Sequence, residues 1–525
     1  MQPLNVFPMT WTPCPDDFDP AWSPTSIRYC AARFGAALPP PGPGYAYCDI
    51  GAGAGAHVAA LACLYPEASF WAVEANPTAA LQAGRLMSAT QRANMTVAPL
   101  DLERFLEAAT PAFDCMVVRA GYCTLSQQER ELVAEMAARK LKCGGALVLA
   151  YEALPMAAPF QTLVGVLRSC WNAVAGSEEQ RLGRVLDIME RLLGEGRGLF
   201  AQGQPVAAAC RMLLDMDRRI LLHRYLAPYY EPVWFCELGD ALARRGLIFR
   251  GSLDLTSRLA QTGLAQETGQ LLEEVGVLSL QETLRDCLTG TFLRRDIFVR
   301  GHNPLADAND VLQQTPFSAD MHEGDYAEVC RSARGEIRLD MSAHSRVLDS
   351  ILSQGACTAG QLAAELGMSH EQVDGVCALR LAMGDLVTAP QAPDRAAVAA
   401  CNMHLARRAV TDNAMATLVS PLGGCVLLNP VCALFLLAIA SGCSPLDHAL
   451  QAIDPQRAAG NEEEAVRLEQ MVLRQYEEFA MHTLPELQRL QIVAAEQADT
   501  GLGSSMAGRD GLSDPGESDD SGNRS

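Results

Sequence analysis

The most constraining feature of this 525-residue chain is the segment Tyr45–Ala56, where an apolar strand runs directly into a glycine-rich loop. Asp49 stands at the end of the predicted strand, and Gly51, Gly53 and Gly55 follow it at alternate positions. Glycines at this point leave the backbone bare, so an adenosyl ligand can lie against the main chain at the mouth of a parallel sheet. The segment therefore predicts an α/β fold with a ligand site at the end of its first strand.

The glycine spacing distinguishes between two kinds of ligand. A dinucleotide fold needs G-x-G-x-x-G, which here would require Ala56 as its last member, and it places a pyrophosphate on the helix N-terminus. The observed pattern is D-x-G-x-G-x-G, with the carboxylate of Asp49 two residues before the first glycine. That carboxylate would repel a pyrophosphate and suits a ligand with an ammonium and a sulfonium. In this respect the chain resembles the class I methyltransferases, which bind S-adenosylmethionine (SAM) in this way.

Further residues of the nucleoside site follow at the expected intervals. Glu74 closes the predicted strand Ser69–Val73, at the position where nucleotide folds bind the ribose hydroxyls. Asp101 follows the apolar run 97–100, where the resemblance implies contact with the adenine amino group. The predicted cofactor-binding residues are Asp49, Gly51, Gly53, Gly55, Glu74, Ala75, Asp101 and Leu102.

Strands and helices alternate over the first 150 residues or so, which predicts a doubly wound α/β domain. Two further strands are expected at 113–118 and 146–151. Between them, Ser126–Glu129 is a capping box that opens a helix reaching Lys142, and Cys143–Gly145 is expected to stop it. Asp114 begins its strand, far from the ligand crevice, and is interpreted as structural.

Composition limits the class of protein. The net charge of −21 and the pI near 4.9 argue against nucleic acid or an anionic membrane as the main partner. The 18 cysteines are scattered singly with no C-x-x-C pair, which favours reduced thiols in a cytoplasmic protein over disulfides or a metal site. The uncharged stretch 413–446 is broken by prolines and glycines, so we expect a β-hairpin at 417–428 and a buried helix rather than a membrane span.

Beyond residue 155 the pattern becomes helical, with apolar spacing of i, i+3 and i+4 at 180–200, 205–225 and 233–246. Residues 346–388 then resemble a winged-helix unit, whose helices open at capping boxes beginning with Thr358 and Ser369. Its would-be recognition helix carries Glu371 and Asp374, the wrong charge for a phosphate backbone. Contact with protein, or scaffolding, is the expected role of this unit. A further amphipathic helix is expected within 462–490.

Two sequence blocks, at 223–252 and 282–301, extend the resemblance to bacterial methyltransferases that carry a methyltransferase regulatory domain. That family includes the rickettsial protein lysine methyltransferases, and the similarity covers about residues 5–490. It implies a Rossmann-like α/β methyltransferase core, a mainly helical middle region and a winged-helix-like α+β C-terminal part, with a protein or peptide substrate. The predicted domains are a SAM-binding domain at 1–160, a regulatory domain at 161–335, a C-terminal domain at 336–495 and a disordered acidic tail at 496–525. A homodimer is compatible with the sequence.

The chain departs from the family in the two loops that overhang the methyl group, at 119–124 and 150–157. The candidate catalytic residues in these loops are Arg119, Tyr122, Tyr151 and Glu152, of which Glu152 offers a carboxylate to an amine nucleophile. The segment from Trp11 to Trp22 is expected to fold over the site as a lid, and packing against the surface is the alternative. These residues predict methyl transfer to a protein side-chain nitrogen, with lysine favoured. A SAM-binding regulatory protein without catalysis and a small-molecule methyltransferase remain as alternatives.

Overall fold

The structure is a computed structural model that describes residues 17–494 apart from several short gaps. The gaps are residues 257, 260–261, 302–306, 322–323, 325, 333–334 and 452–461. The predicted acidic tail and the first part of the predicted lid, including Trp11, lie outside the described residues. The chain divides into two compact units, residues 1–398 with 422–424 and residues 399–421 with 425–525.

The first unit is built on a seven-stranded sheet in the order β3-β2-β1-β4-β5-β7-β6. Strands β1 to β5 run parallel, whereas β7 lies antiparallel between β5 and β6. The strands are β1 Ala46–Ile50, β2 Ser69–Val73, β3 Met95–Ala98, β4 Phe113–Val118, β5 Leu141–Glu152, β6 Leu247–Ser252 and β7 Leu293–Arg300. The central strands β1 and β4 are buried along their whole length, as their continuous apolar runs predict.

The strand order reverses between β1 and β4, because β2 and β3 lie on one side of β1 while β4 and β5 lie on the other. In open α/β sheets, a ligand crevice forms outside the carboxyl ends of the strands at such a reversal. The glycine loop that follows β1 therefore stands at the crevice, as the sequence predicts. Asp114 lies at the opposite end of β4, where its Oδ2 atom accepts hydrogen bonds from the backbone of Ala46 and from Lys142.

Five helices belong to the parallel part of the sheet or precede it. They are α1 Pro24–Ala32, α2 Ala56–Leu64, α3 Pro77–Thr90, α4 Leu102–Glu107 and α5 Gln127–Lys140. Helix α5 opens with the capping box predicted at Ser126 and Glu129. It ends at Lys140, two residues before the predicted end, because the backbone extends at Leu141 and β5 begins there.

The middle region is mainly helical as expected, and it also supplies two strands to the sheet of the N-terminal region. Its helices are α6 Ala158–Ala173, α7 Glu178–Glu195, α8 Pro205–Leu214, α9 Arg218–Ile220, α10 Phe235–Ala243, α11 Gln266–Glu274 and α12 Leu278–Thr289. Between and after them, β6 and β7 join the sheet of the N-terminal region, and β7 pairs with β5 from Ala146 to Glu152. The sheet therefore extends across the boundary predicted at residue 160, because β7 supplies the hydrogen-bonding partner on the free side of β5.

The remainder of the first unit contains α13 Ala308–Gln314, α14 Met341–Gln354, α15 Ala359–Leu366 and α16 His370–Met383. A three-stranded sheet of β8 Pro316–Ala319, β11 Cys357–Thr358 and β12 Leu386–Thr388 lies with them, and β9 Val329–Ser332 pairs with β10 Gly335–Arg338. Capping boxes open α15 and α16 where the sequence predicts them.

Two of the charged residues of α16 are buried, whereas Glu371 is exposed. Asp374 is buried and accepts hydrogen bonds from Tyr29, at 2.7 Å, and from Arg33. Arg380 is fully buried and donates to Asp385 at 2.6 Å. These two side chains therefore stabilise the packing of α16 within the first unit.

The second unit contains the predicted hairpin, formed by β13 Ala416–Val419 and β14 Cys425–Leu428, and the predicted buried helix. The remaining helices are α17 Arg395–Asp412, which begins in the first unit, α18 Pro430–Ala440, α19 Pro445–Gln451, α20 Glu462–Glu478 and α21 Leu484–Arg489. The boundary between the two units, near residue 398, falls within the C-terminal domain predicted for 336–495. Among the described residues, no helix combines the length and apolarity that crossing a membrane requires.

Candidate functional site

A cavity of about 570 Å³ lies at the carboxyl ends of the parallel strands. Five of the eight residues predicted to bind the cofactor line it, namely Gly51, Glu74, Ala75, Asp101 and Leu102. The loops after β1, β2, β3 and β4 all contribute to its wall. The structure therefore brings together most of the residues that the spacing of motifs indicated, although they are up to 51 positions apart in sequence.

The remaining wall is apolar and acidic. Leu100, Val118, Leu125 and Leu132 supply apolar surface. Glu103 and Glu129 add two carboxylates to those of Glu74 and Asp101, and no described lining residue is Lys, Arg or His. A cavity with this charge attracts cations and repels a pyrophosphate.

The glycine loop has positive φ angles at Gly51, Gly53 and Gly55, a conformation that favours glycine. Gly51 has a φ of 75° and faces open space, so a ligand can approach its main chain closely. Gly55 has a φ of 77°, and a Cβ atom there would lie 2.8 Å from the Cβ atom of Ala83 in α3. Its missing side chain therefore permits α2 and α3 to pack closely behind the loop.

Glu74 fixes the loop from the end of β2. Its Oε2 atom accepts a hydrogen bond from the backbone N–H of Gly53, and its Oε1 atom accepts one from Asn76, both at 2.8 Å. Gly53 therefore contributes by binding Glu74 through its backbone N–H, and it does not itself line the cavity. Asp101 caps α4 by accepting from the backbone N–H of Arg104 at 2.8 Å, and its side chain remains 51% exposed.

Asp49, a predicted cofactor ligand, lies against Arg119. Asp49 is fully buried, does not line the cavity, and accepts a hydrogen bond from the Nε atom of Arg119 at 2.8 Å. Because a buried carboxylate is costly without a partner, the nearest cation neutralises it. Asp49 and Arg119, predicted as a cofactor ligand and a catalytic residue, therefore form a structural ion pair between the ends of β1 and β4.

Tyr122 and Tyr151 are also buried away from the cavity wall. The Tyr151 hydroxyl donates to Asp296 on β7 at 2.5 Å, and its ring centroid lies 6.3 Å from that of Tyr122. Burial raises the pKa of Tyr122 to about 12, so its hydroxyl stays protonated at neutral pH. The two tyrosines contribute to the core beneath the loops, and neither overhangs the cavity as the sequence predicts.

Glu152, the predicted carboxylate for an amine nucleophile, is fully buried at the end of β5. Its Oε1 atom lies 2.9 Å from Arg224 and accepts a hydrogen bond from Tyr225 at 2.9 Å. Its Oε2 atom accepts from the hydroxyl of Tyr230. With both oxygens occupied, Glu152 connects the sheet to residues 224–230 and is not placed to remove a proton from a substrate.

The described part of the predicted lid lies against this end of the sheet. The backbone carbonyl of Asp17 accepts a hydrogen bond from Arg119 at 3.2 Å, and the ring of Phe18 stacks on His57 with centroids 5.5 Å apart. Burial, reinforced by the charge of Arg119, holds the pKa of His57 well below its ordinary value. The imidazole is therefore neutral behind the glycine loop.

The second sequence block, 282–301, supplies a buried ionic network. Arg294 donates to Asp296 at 2.6 Å, to Asp286 at 2.7 Å and to Glu282 at 3.0 Å, and Arg258 also binds Glu282. Burial raises the pKa of Asp286 to about 6, although Arg294 beside it opposes this shift. The block therefore stabilises the junction of α12 with β7.

Sequence reasoning missed several residues of the cavity. Gly121, Thr124, Ser126 and Gln128 come from the turn after β4 and the start of α5, and Tyr229 comes from the segment before α10. Tyr229 lies within the sequence block 223–252, which carries part of the resemblance. Nothing in local sequence places that segment beside α5.

Comparison with known families supports the assignment of the fold and its ligand. Residues 48–145 match the family model described as a methyltransferase domain, and residues 217–300 match the predicted methyltransferase regulatory domain. The chain therefore carries a methyltransferase domain followed by a methyltransferase regulatory domain. Both SAM as the cofactor and the SAM-dependent class of methyltransferase are confirmed at the level of this domain. The segment matching the regulatory model includes β6 and β7 and thus completes the sheet.

Individual relatives add to this comparison. An uncharacterized protein of Synechocystis, sll1526, is 29% identical over 246 residues, or 46% of this chain. The match covers 48% of that protein, so the chain spans about half the length of the curated relative. PKMT2 from Rickettsia typhi has the same fold, with a TM-score of 0.64 at 15% identity over 91% of this chain and 99% of that one. Its complex with AdoHcy gives a TM-score of 0.62, also at 15% identity, over 89% of this chain and 98% of that one.

Proposed function

We propose that this protein transfers the methyl group of SAM to a nitrogen of a protein side chain, with lysine the favoured acceptor. The observation that carries the proposal is the acidic, glycine-walled cavity at the strand reversal. Four carboxylates without a basic residue among the described lining suit a cationic cofactor and a cationic acceptor. The structural likeness to rickettsial PKMT2 supports a protein as the substrate.

The residues of the cavity fit SAM in most respects. Gly51 leaves room for the main chain to meet the ligand, while Glu74 and Asp101 line the cavity and are expected to bind the ribose hydroxyls and the adenine amino group. Leu100 and Leu102 provide an apolar surface for the purine. Asp49 is the exception, since its charge is already paired with Arg119.

SAM, when bound, supplies a methyl group on a sulfonium that is already an activated leaving group. The protein must then mainly align the acceptor nitrogen about 3 Å from the methyl carbon. A lysine ammonium has an ordinary pKa of about 10.4, so it must lose a proton before it can react. In this arrangement the carboxylates of the cavity attract the ammonium, and the apolar wall favours its neutral form.

The burial of the predicted catalytic residues favours a second function, in which the protein binds SAM without transferring its methyl group. Arg119, Tyr122, Tyr151 and Glu152 are all buried, and Arg119, Tyr151 and Glu152 bind other protein groups. This arrangement is compatible with a protein that binds SAM and acts as a regulator without turnover. A small-molecule acceptor is the third candidate, and the cavity's size does not exclude it.

The test is incubation of the full chain with methyl-labelled SAM and a lysate of its own host, followed by identification of labelled species. Labelled protein whose methyl group maps to lysine supports the proposal. Glu74→Ala should weaken binding of S-adenosylhomocysteine (AdoHcy) by about 1–3 kcal/mol through lost charge-assisted hydrogen bonds, and should reduce labelling in parallel. Tight AdoHcy binding with no labelled protein or metabolite would instead favour the regulatory function.

A further inference from the structure

The segment 226–234 connects the short helix Leu221–Tyr225 to α10 and contributes Tyr229 to the cavity wall. Main-chain hydrogen bonds fix its course. The backbone N–H of Glu231 donates to the carbonyl of Cys123 at 2.8 Å, and Arg130 of α5 donates to the carbonyl of Glu231 at 2.7 Å. The backbone N–H of Val233 donates to the carbonyl of Glu152 at 3.0 Å.

Hydrogen bonds also fix the residues on both sides of Tyr229. Tyr225 and Tyr230 donate their hydroxyls to the carboxylate of Glu152, and the carbonyl of Pro228 accepts a hydrogen bond from Arg168. The rings of Tyr225 and Tyr230 also pack edge to face, with centroids 5.2 Å apart. The backbone at Tyr229 is therefore held in place by its neighbours in sequence.

Tyr229 itself differs from those neighbours. It is 55% exposed, and it lines the cavity together with Leu102, Leu125 and Leu132. Its hydroxyl has no hydrogen-bond partner among the described residues. The backbone of Tyr229 is fixed, but about half of its side chain is exposed, so the ring contributes little to the core. Its exposed surface is available to a ligand.

We propose that the ring of Tyr229 binds the adenine base of the cofactor, so that the regulatory segment completes the cofactor site. The inference rests on the proposed function for the identity of the ligand. It goes beyond that function by assigning a cofactor contact to a residue outside the methyltransferase domain model. Adenine is chosen over the methionine end because it is the aromatic, uncharged part of the cofactor, and the apolar residues Leu102, Leu125 and Leu132 line the same cavity as Tyr229. Aromatic stacking on a base is independent of charge and suits this apolar side of the wall.

The experiment measures binding of AdoHcy and of adenosine to the full chain by calorimetry, using Tyr229→Ala and Tyr229→Phe. We expect Tyr229→Ala to weaken both ligands about tenfold and by the same factor, because the lost contact is with the base that they share. Tyr229→Phe should keep the wild-type affinity, since the ring and not the hydroxyl makes the contact. Leu199→Ala is the matched control, because Leu199 is 51% exposed and does not line the cavity.

Thermal unfolding is measured for each variant. A midpoint temperature equal to that of the wild type would show that the substitution leaves the fold intact. Affinity for AdoHcy within twofold of wild type in Tyr229→Ala would overturn the proposal. Weakened AdoHcy with unchanged adenosine would also overturn it, because the ring would then contact the amino acid end. Wild-type protein that binds AdoHcy without transferring methyl groups contradicts the proposed function alone, whereas wild type that binds neither ligand contradicts both.

Discussion

The Nε atom of Arg119 donates to the Oδ2 atom of Asp49 across 2.8 Å, and neither side chain is more than 4% exposed. Strand register explains the contact, since Asp49 of β1 lies beside Val117 of β4 and Arg119 follows two residues later. Two charges removed from water remain ionised here only because they compensate each other. The acidic residue of the glycine motif therefore links the carboxyl ends of the two central strands through its ion pair with Arg119.

Replacing one partner of this ion pair should lower the free energy of unfolding much more than replacing both partners together. Arg119→Met leaves the carboxylate of Asp49 buried without its counter-charge, so we expect the free energy of unfolding to fall by about 3–5 kcal/mol. Combining Asp49→Asn with Arg119→Met removes both charges and should recover most of that loss. Urea denaturation of the two single variants and the double variant measures the coupling.

Arg191→Ala is a suitable control, because Arg191 pairs with Asp187 at 3.0 Å while 78% exposed, and its loss should barely move the urea midpoint. A stable Arg119→Met variant would show that the pair is not structural. If that variant also bound AdoHcy more tightly, Asp49 would return as a candidate cofactor ligand.

The second prediction concerns Glu152. Glu152→Gln removes the charge that faces the buried Arg224, so we expect a loss of about 2–4 kcal/mol in unfolding free energy. Because both carboxylate oxygens already bind protein groups, the shape of the pH profile of methyl transfer should not change. Loss of a titrating limb from that profile in Glu152→Gln would identify this carboxylate as the base after all. Glu178→Gln, at the exposed start of α7, serves as the comparison.

The third prediction distinguishes two reasons why the loop requires glycine, namely a positive φ and a lack of space for a Cβ atom. Gly55→Ala adds both strain from a positive φ and a contact of 2.8 Å with Ala83, so we expect a loss of about 2–4 kcal/mol. Gly51→Ala adds the strain alone, at about 1–2 kcal/mol, because nothing lies within 4 Å of its Cβ position. Chemical denaturation compares them. Equal losses in both variants would mean that the packing of α2 against α3 has relaxed around the new methyl group.

The fourth prediction is a pH dependence of stability. The Nδ1 atom of His344 accepts a hydrogen bond from Arg380 at 3.0 Å, and burial with the nearby Arg380 charge lowers the pKa of His344 to about 4. Since the folded pKa lies below the unfolded value of about 6.5, the neutral form favours folding. Stability should therefore be complete above pH 6.5 and decline as the pH falls toward 4.

Urea midpoints at pH 7, 5.5 and 4.5 test this contribution. His344→Asn keeps an oxygen that can accept from Arg380 but cannot titrate, so its midpoints should fall less steeply with acid than those of wild type. Identical slopes for the two proteins would assign the acid sensitivity to other groups.

Features that depend on neighbouring residues were predictable from the sequence. The capping boxes at Ser126, Thr358 and Ser369 are formed by residues three positions apart, and each opens its helix as predicted. The strand ends at Glu74 and Asp101 were also placed correctly, because the intervals of an alternating α/β fold are regular. The presence of these two residues in the cavity followed from the same regularity.

Features that depend on distant residues were not predictable in this way. Arg119 pairs with a residue 70 positions away, and Glu152 binds residues 72 to 78 positions away. A single sequence shows that these side chains are charged or polar but does not indicate which of them become buried together. The sequence therefore does not indicate that all four predicted catalytic residues, Arg119, Tyr122, Tyr151 and Glu152, are buried.

The pairing of β5 with β7 also determines the order in which the protein can fold during synthesis. Ala146 of β5 faces Val299 of β7, and the intervening chain is roughly 150 residues long. At about 5–20 residues per second, a ribosome needs about 8–30 s to supply the second strand after the first has emerged. During that interval, one edge of β5 has no strand to pair with, so the nascent methyltransferase half is exposed to aggregation until the regulatory segment arrives.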